Sequence, residues 1–223
     1  MISYPLVLQT PSKVLHIFLL VGLLIVAPMF APERAIAQTD TRTETSTVAA
    51  LQQGLLEILN NPPAGNDPAR SAALEKLVAG TFDINAMGAV AVGVQTYRSW
   101  SAAQRGEFLA AFSRFMVATH SSRFMGTADR DFEIEGSEDA QRGRKIVHAR
   151  YLRAGLAPYP IDYLVQLTPD GWRILDVYLD ETISLLALHR SEFSSVLRDR
   201  GFDGFIAAMH AKADELAELP DTK

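Results

Sequence analysis

The sequence predicts an α+β fold: helices, then a four-stranded antiparallel meander sheet, then helices again. Three changes of periodicity carry that reading. Ser101 and Gln104 form a capping-box pattern, after which Phe108, Phe112, Phe115, Met116 and Thr119 recur at helical spacing, so the stretch from Tyr97 to Phe124 is a long helix with an aromatic face. From Asp131 to Leu179 the pattern becomes alternation, in four successive segments with no helical stretch between them, which implies antiparallel pairing of neighbours. Helical spacing returns from Thr182 to Leu216.

The chain of 223 residues opens on a different pattern. Lys13 precedes an apolar run from Val14 to Ala27, broken by Pro28, and Ala35-Ile36-Ala37 then supplies small residues before Gln38. This reads as a secretory signal peptide over residues 1–37, cleaved after Ala37. The alternative is a retained anchor, since the run reaches Ala31 if Pro28 is tolerated. Either way the remainder leaves the cytoplasm. The formal charge is −5, and the loss of Lys13, Glu33 and Arg34 makes it −6, a balance that argues against nucleic acid. The chain has no cysteine, so neither disulfides nor thiol chemistry is available, and the fold rests on its core.

In order along the exported part, residues 38–47 are polar and threonine-rich, expected as a flexible linker ahead of a single domain over residues 48–219. From Val48, the stripe Leu51, Leu55, Leu56, Ile58 and Leu59 marks a first helix, which stops at Asn60-Asn61-Pro62-Pro63. A turn through Gly65 and Pro68 leads to a second helix ending near Phe82. Asp83 is the expected N-cap of a third, small-sided helix whose Gly88 permits close backbone approach.

The strands are expected at Asp131–Gly136, Lys145–Leu152, Pro160–Leu167 and Trp172–Leu179, with turns at Arg142-Gly143 and at Thr168-Pro169-Asp170-Gly171. Plain alternation in the fourth strand puts Leu175, Val177 and Leu179 on one face and Trp172, Ile174, Asp176 and Tyr178 on the other. A strand apolar on both sides is covered on both sides or faces a cavity on one. A helix from Thr182 stops at Gly201, and a last helix follows from Asp203.

These residues carry a resemblance. Tyr97-Arg98, Ser101, Gln104-Arg105, Phe108 and Phe112, then Trp172-Arg173-Ile174, Asp176-Val177, Arg190-Ser191-Glu192-Phe193, Val196-Leu197, Gly201 and Asp203 resemble, in order and spacing, the MlaC family of toluene-tolerance auxiliary components of ABC transport systems. The resemblance spans Val48 to Leu216. It implies a periplasmic lipid carrier without catalysis, holding lipid tails in an apolar cavity between sheet and helices. It further implies exchange with an inner-membrane ABC transporter complex and an outer-membrane complex. The segment from Leu179 to Ser184 and the small helix at residues 85–93 depart from the usual pattern and resemble the hopanoid-associated HpnM branch. The cargo implied is therefore a phospholipid or a hopanoid.

Such a carrier needs an apolar lining. The candidates are Met87, Phe108, Phe112, Phe115 and Met116 from the helices; Tyr163, Val165, Trp172, Ile174, Val177 and Tyr178 from the sheet; and Leu185, Leu188, Phe193 and Val196 from the penultimate helix. Each serves an ordinary core equally well. The enzymatic alternative is a small hydrolase or isomerase with Asp162 or Asp176 as base, near His148 and Tyr163. No cofactor is implied, and the five scattered histidines show no metal-ligand spacing. An adaptor docking through the terminal helix, with Lys212, Asp214, Glu215 and Glu218 on its polar face, is the third reading.

Overall fold

Thr43 sets the start of the first helix. Its Oγ1 accepts the Ser46 N–H at 3.1 Å, and its carbonyl accepts the Thr47 N–H at 3.1 Å. Helix α1 therefore runs Glu44–Asn60 and begins before Val48, so residues 44–47 belong to the helix rather than to the linker. The physical reason lies far away in sequence. Glu44 accepts Ser137 Oγ at 3.0 Å and faces Lys145 Nζ at 3.5 Å, and the Thr47 hydroxyl reaches the Trp172 carbonyl at 3.4 Å.

The computed structural model describes residues 43–60, 68–124 and 129–217. The expected signal peptide, the expected turn through Gly65 and the expected break at Gly126 lie outside the described residues. Helix α2 spans Pro68–Thr81 and α3 Ile84–Ala91, the latter capped as expected by Asp83, whose carboxylate accepts the Ala86 N–H at 2.9 Å. Gly88 presses on the next helix, where a Cβ would lie 2.9 Å from Phe108 Cε1. The aromatic helix is divided: α4, Val94–Ser99, ends at the extended Trp100, and α5, Ala102–Phe124, starts afresh. The capping box is present in full. Ser101 N–H donates to Gln104 Oε1 at 3.0 Å and Gln104 N–H to Ser101 Oγ at 3.1 Å.

Strands β1 (Arg130–Ala140), β2 (Arg144–Arg153), β3 (Tyr159–Thr168), β4 (Gly171–Leu179) and β5 (Ile183–Ser184) form one antiparallel sheet in chain order. The expected four strands are thus five. Asp180 and Glu181 both take positive φ, 50° and 58°, and the Thr182 N–H closes the turn on the Leu179 carbonyl at 3.2 Å. Two left-handed central residues make a tight hairpin, so residues 183–184 pair back on β4 and the final helix begins at Leu185 instead of Thr182. That helix, α6, covers Leu185–Ala217 and is broken at Gly201, whose φ of 67° and ψ of −174° end the helical ladder where the sequence places a stop.

The register of β4 corrects the facial assignment. Tyr163 pairs with Val177 and Leu164 with Asp176, but Val165 pairs with Ile174, leaving Leu175 as an extra residue. This bulge reverses the alternation halfway along the strand. Trp172, Ile174, Val177 and Leu179 face the core, while Arg173, Asp176 and Tyr178 belong to the opposite side. The strand is apolar in two phases because it changes phase, not because both faces are equally covered. Helix α1 packs on α2 and on the sheet, and α5 on α2 and α6. Phe82 bridges in parallel to Ile174, tying the entry of α3 to the edge of β4.

Candidate functional site

The core face of the sheet is an apolar floor. Val147 and Ala149 of β2, Ile161, Tyr163 and Val165 of β3, and Ile174 and Val177 of β4 are all buried on it. Above the floor lie α1, α5 and the start of α6. Between them the structure keeps a small apolar pocket of about 10 Å³, lined by Leu51, Leu55, His120, Ile161, Tyr163, Val177, Leu179 and Leu185. That is room for about one water molecule. At these residues the sheet and the helices are closely packed.

Two polar groups enter this seam. His120 is buried with Nδ1 2.8 Å from the Met116 carbonyl, and its ring meets Phe82 edge-on at 5.0 Å. Tyr163 is wholly enclosed; burial pushes its phenol up to about 12, which the neighbouring Gln52 amide partly opposes. Gln52 is itself buried and its Nε2 has no hydrogen-bond partner among the described residues. A buried amide donor left unmade costs about 1–3 kcal/mol. Beside the apolar floor the described residues thus leave a local polar defect at Gln52.

The sequence-expected lining residues separate into five groups. Tyr163, Val177 and Leu185 line the pocket. Phe108, Phe112, Phe115 and Phe193 instead join Phe205 and His189 in an aromatic stack between α5 and α6, with Phe108 on Phe112 at 5.6 Å and Phe115 against His189 at 4.9 Å. Met116, Val165 and Ile174 are buried core, and Trp172 and Val196 are half-buried against it. Met87 and Tyr178 lie elsewhere, in a groove on the outer face. Leu188 is exposed, because the buried stripe of α6 runs through Leu186, His189 and Phe193 and Leu188 falls outside it.

Sequence reasoning did not single out Leu51, Leu55, Ile161, Leu179 or His120 for the pocket. The four apolar residues sit in the expected helix stripe and strand pattern, so their burial was readable, but their convergence depends on tertiary packing. His120 carried one usable signal: it continues the Phe112, Phe115, Met116 and Thr119 face of α5.

The opposite face of the sheet is organised by charge. His148 Nδ1 meets Asp162 at 2.9 Å, with Glu138 at 3.7 Å from its Nε2, and Arg150 holds Glu135 at 2.6 Å. Asp176 is buried; its Oδ1 accepts the Val177 N–H at 2.8 Å and the Leu186 N–H at 3.1 Å, while Oδ2 accepts the Ser184 hydroxyl. Burial raises its pKa, against those hydrogen bonds and the nearby His189. Both candidate bases thus have structural engagements: Asp162 in a cross-strand pair, Asp176 fastening β5 and the first turn of α6 to β4. Tyr163 points to the other face, so the suggested catalytic quartet is split across the sheet. Among the described residues no cluster with metal-binding potential occurs.

Residues 49–211 match a protein-family model described as MlaC protein. A solved structure of the phospholipid-binding protein from Ralstonia solanacearum, in complex with a phospholipid, has a TM-score of 0.68 to this chain at 18% identity, over 79% of this chain and 100% of that one. At that identity the likeness establishes a shared fold.

Proposed function

Because the chain belongs to the MlaC family, matched from residue 49 to residue 211, we propose that it is a periplasmic carrier of a membrane lipid. It takes the apolar part of a phospholipid or hopanoid into the seam between the core face of the sheet and helices α1, α5 and α6. It then passes the lipid between membrane-bound complexes, an inner-membrane ABC transporter among them, without catalysing a reaction. The observation that carries this reading is the seam itself: a pocket whose lining is aliphatic apart from His120 and Tyr163, within a fold that in the Ralstonia protein accompanies a bound phospholipid.

The physical need for a carrier follows from chain hydration. At about 0.8 kcal/mol per buried CH₂, a chain of roughly 16 carbons is held in a bilayer by on the order of 10 kcal/mol, so unaided passage through water is slow. An apolar interior replaces the bilayer environment with no bond made or broken. At these lining residues the space is about 10 Å³, so the proposed loading widens the seam there.

The test is lipid analysis of the exported protein. The full chain is produced with its own leader in cells that make both phospholipids and hopanoids, and purified without detergent. Intact mass is expected to begin at Gln38, and extraction is expected to release a stoichiometric lipid whose mass identifies the cargo. Protein that emerges empty and takes up no lipid from vesicles overturns the carrier reading.

A further inference from the structure

The outer face of the sheet carries a hollow unrelated to the seam. It is a groove of about 220 Å³ between α3 and strands β2 to β4, walled by Met87, Val90, Leu164, Leu175 and Leu186. Arg144, Gln166, Asp176 and Tyr178 complete it. Along β2 several basic residues are held by carboxylates, the exceptions among the described residues being Arg144 and Arg153. Lys145 holds Asp139 at 3.1 Å, His148 holds Asp162, and Arg150 holds Glu135. Arg144 at the groove pairs with no carboxylate among the described residues; its Nε donates to the neutral Gln166 Oε1 at 3.2 Å, and no bond engages its Nη groups.

The Arg144 exception occurs in an acidic protein, with 26 Asp and Glu against 21 Lys and Arg. A guanidinium left with free donors beside an apolar hollow has the chemistry to receive an oxyanion. Tyr178 lies next to it. Burial raises its pKa, with Asp176 adding to the effect and Arg144 opposing it, so the phenol remains a donor at neutral pH. The Asp176 carboxylate, already engaged by three donors, marks the end of the groove that an anion avoids. The rest of the wall is aliphatic, and Val90 stands 42% exposed over it.

We propose that this groove is a second binding site, for an amphiphilic anion: a phosphate or carboxylate held by Arg144 and Tyr178, with a short alkyl chain lying against Met87, Val90, Leu164 and Leu186. It lies across the sheet from the seam, so the two sites are occupied and assayed separately, and the site stands whether or not the seam takes a lipid.

Octyl phosphate and octanoate are the probes, titrated into the purified exported chain by calorimetry and followed by amide NMR. Inorganic phosphate and octylammonium are the controls. Both anionic probes are expected to shift the amides of Val90, Leu164 and Leu186. Arg144→Gln is expected to weaken both by about tenfold or more, the loss of one charge-assisted contact. Val90→Trp, at an exposed position that tolerates bulk, is expected to block the chain while leaving the circular dichroism spectrum unchanged. Several results overturn the site: no binding of either anion, equal binding by both variants, or octylammonium binding as tightly as octyl phosphate. Inorganic phosphate matching octyl phosphate removes the role of the alkyl wall. Shifts confined to Leu51, Leu55 and Ile161 place the probe in the seam instead and contradict the assignment.

Discussion

The two faces of one sheet are built on opposite principles. On the core face, Ile161, Tyr163, Val165, Ile174 and Val177 meet helices through contacts without direction. On the outer face, His148–Asp162, Arg150–Glu135 and the three bonds to Asp176 specify partners and geometry. Directional pairs hold strand register and anchor the start of α6. In the proposed carrier reading, the face without directional bonds is the one that admits an apolar guest.

Substitution on neighbouring positions of β4 is the sharpest way to break this contrast. Ile174→Asp and Val177→Asp each bury an uncompensated carboxylate and are expected to cost on the order of 5 kcal/mol, seen as loss of a cooperative thermal transition. Tyr178→Asp, on the outer side, is expected to leave that transition within a few degrees of the parent. Unimpaired folding of Val177→Asp beside collapse of Tyr178→Asp would mean that the bulge at Leu175 is misplaced.

Next in size is Phe112→Ala, which opens a hole in the aromatic stack and is expected to lower stability by about 3–4 kcal/mol in urea titrations. A loss under about 1 kcal/mol, the level of an ordinary surface substitution, would show that the stack collapses to fill the gap.

Asp176 comes third, and its effect has a pH signature. Burial raises its folded-state pKa above the ordinary 3.8, so between those two values the native state binds more protons than the unfolded chain. Its contribution to stability therefore declines as pH rises through that window and is level above the folded pKa. Asp176→Asn should remove this decline, and Asp176→Ala should cost about 1–3 kcal/mol by orphaning the Leu186 and Val177 N–H groups. Parallel pH curves for the parent and Asp176→Asn would contradict the assigned direction. The smallest effect belongs to Arg150→Ala, below about 1 kcal/mol, because its partner Glu135 is part-exposed and the pair is screened by solvent.

What was legible in the sequence was what neighbouring residues decide. The Ser101–Gln104 capping box, the Asp83 cap and the Gly201 break each depend on a few adjacent groups, and all are present in the structure. The meander was readable for the same reason: the turn at Thr168 closes locally, its Oγ1 donating to the Gly171 carbonyl at 2.8 Å. Decisions made across the fold were not. Residues 44–47 read as linker because their partners Ser137, Lys145 and Trp172 are remote in the chain. The bulge at Leu175 leaves no mark in composition, yet it puts Trp172 and Ile174 on the opposite face from Asp176 and Tyr178, which plain alternation groups together. Of the residues expected as lipid lining, Tyr163, Val177 and Leu185 line the pocket beside α1 and α5. Leu188 is exposed, as an apolar residue on a helix can be at little cost.

The central claim is that a lipid enters between the core face and the helices, and cross-linking addresses it most directly. A diacyl phospholipid bearing a photoreactive group at mid-chain is loaded from vesicles, irradiated, and the labelled positions are mapped by peptide mass spectrometry. The account predicts adducts at Leu51, Leu55, Ile161 and Leu185, around the seam. Adducts confined to Val90, Leu164 and Leu186 on the outer face, or protein that acquires none, would contradict it.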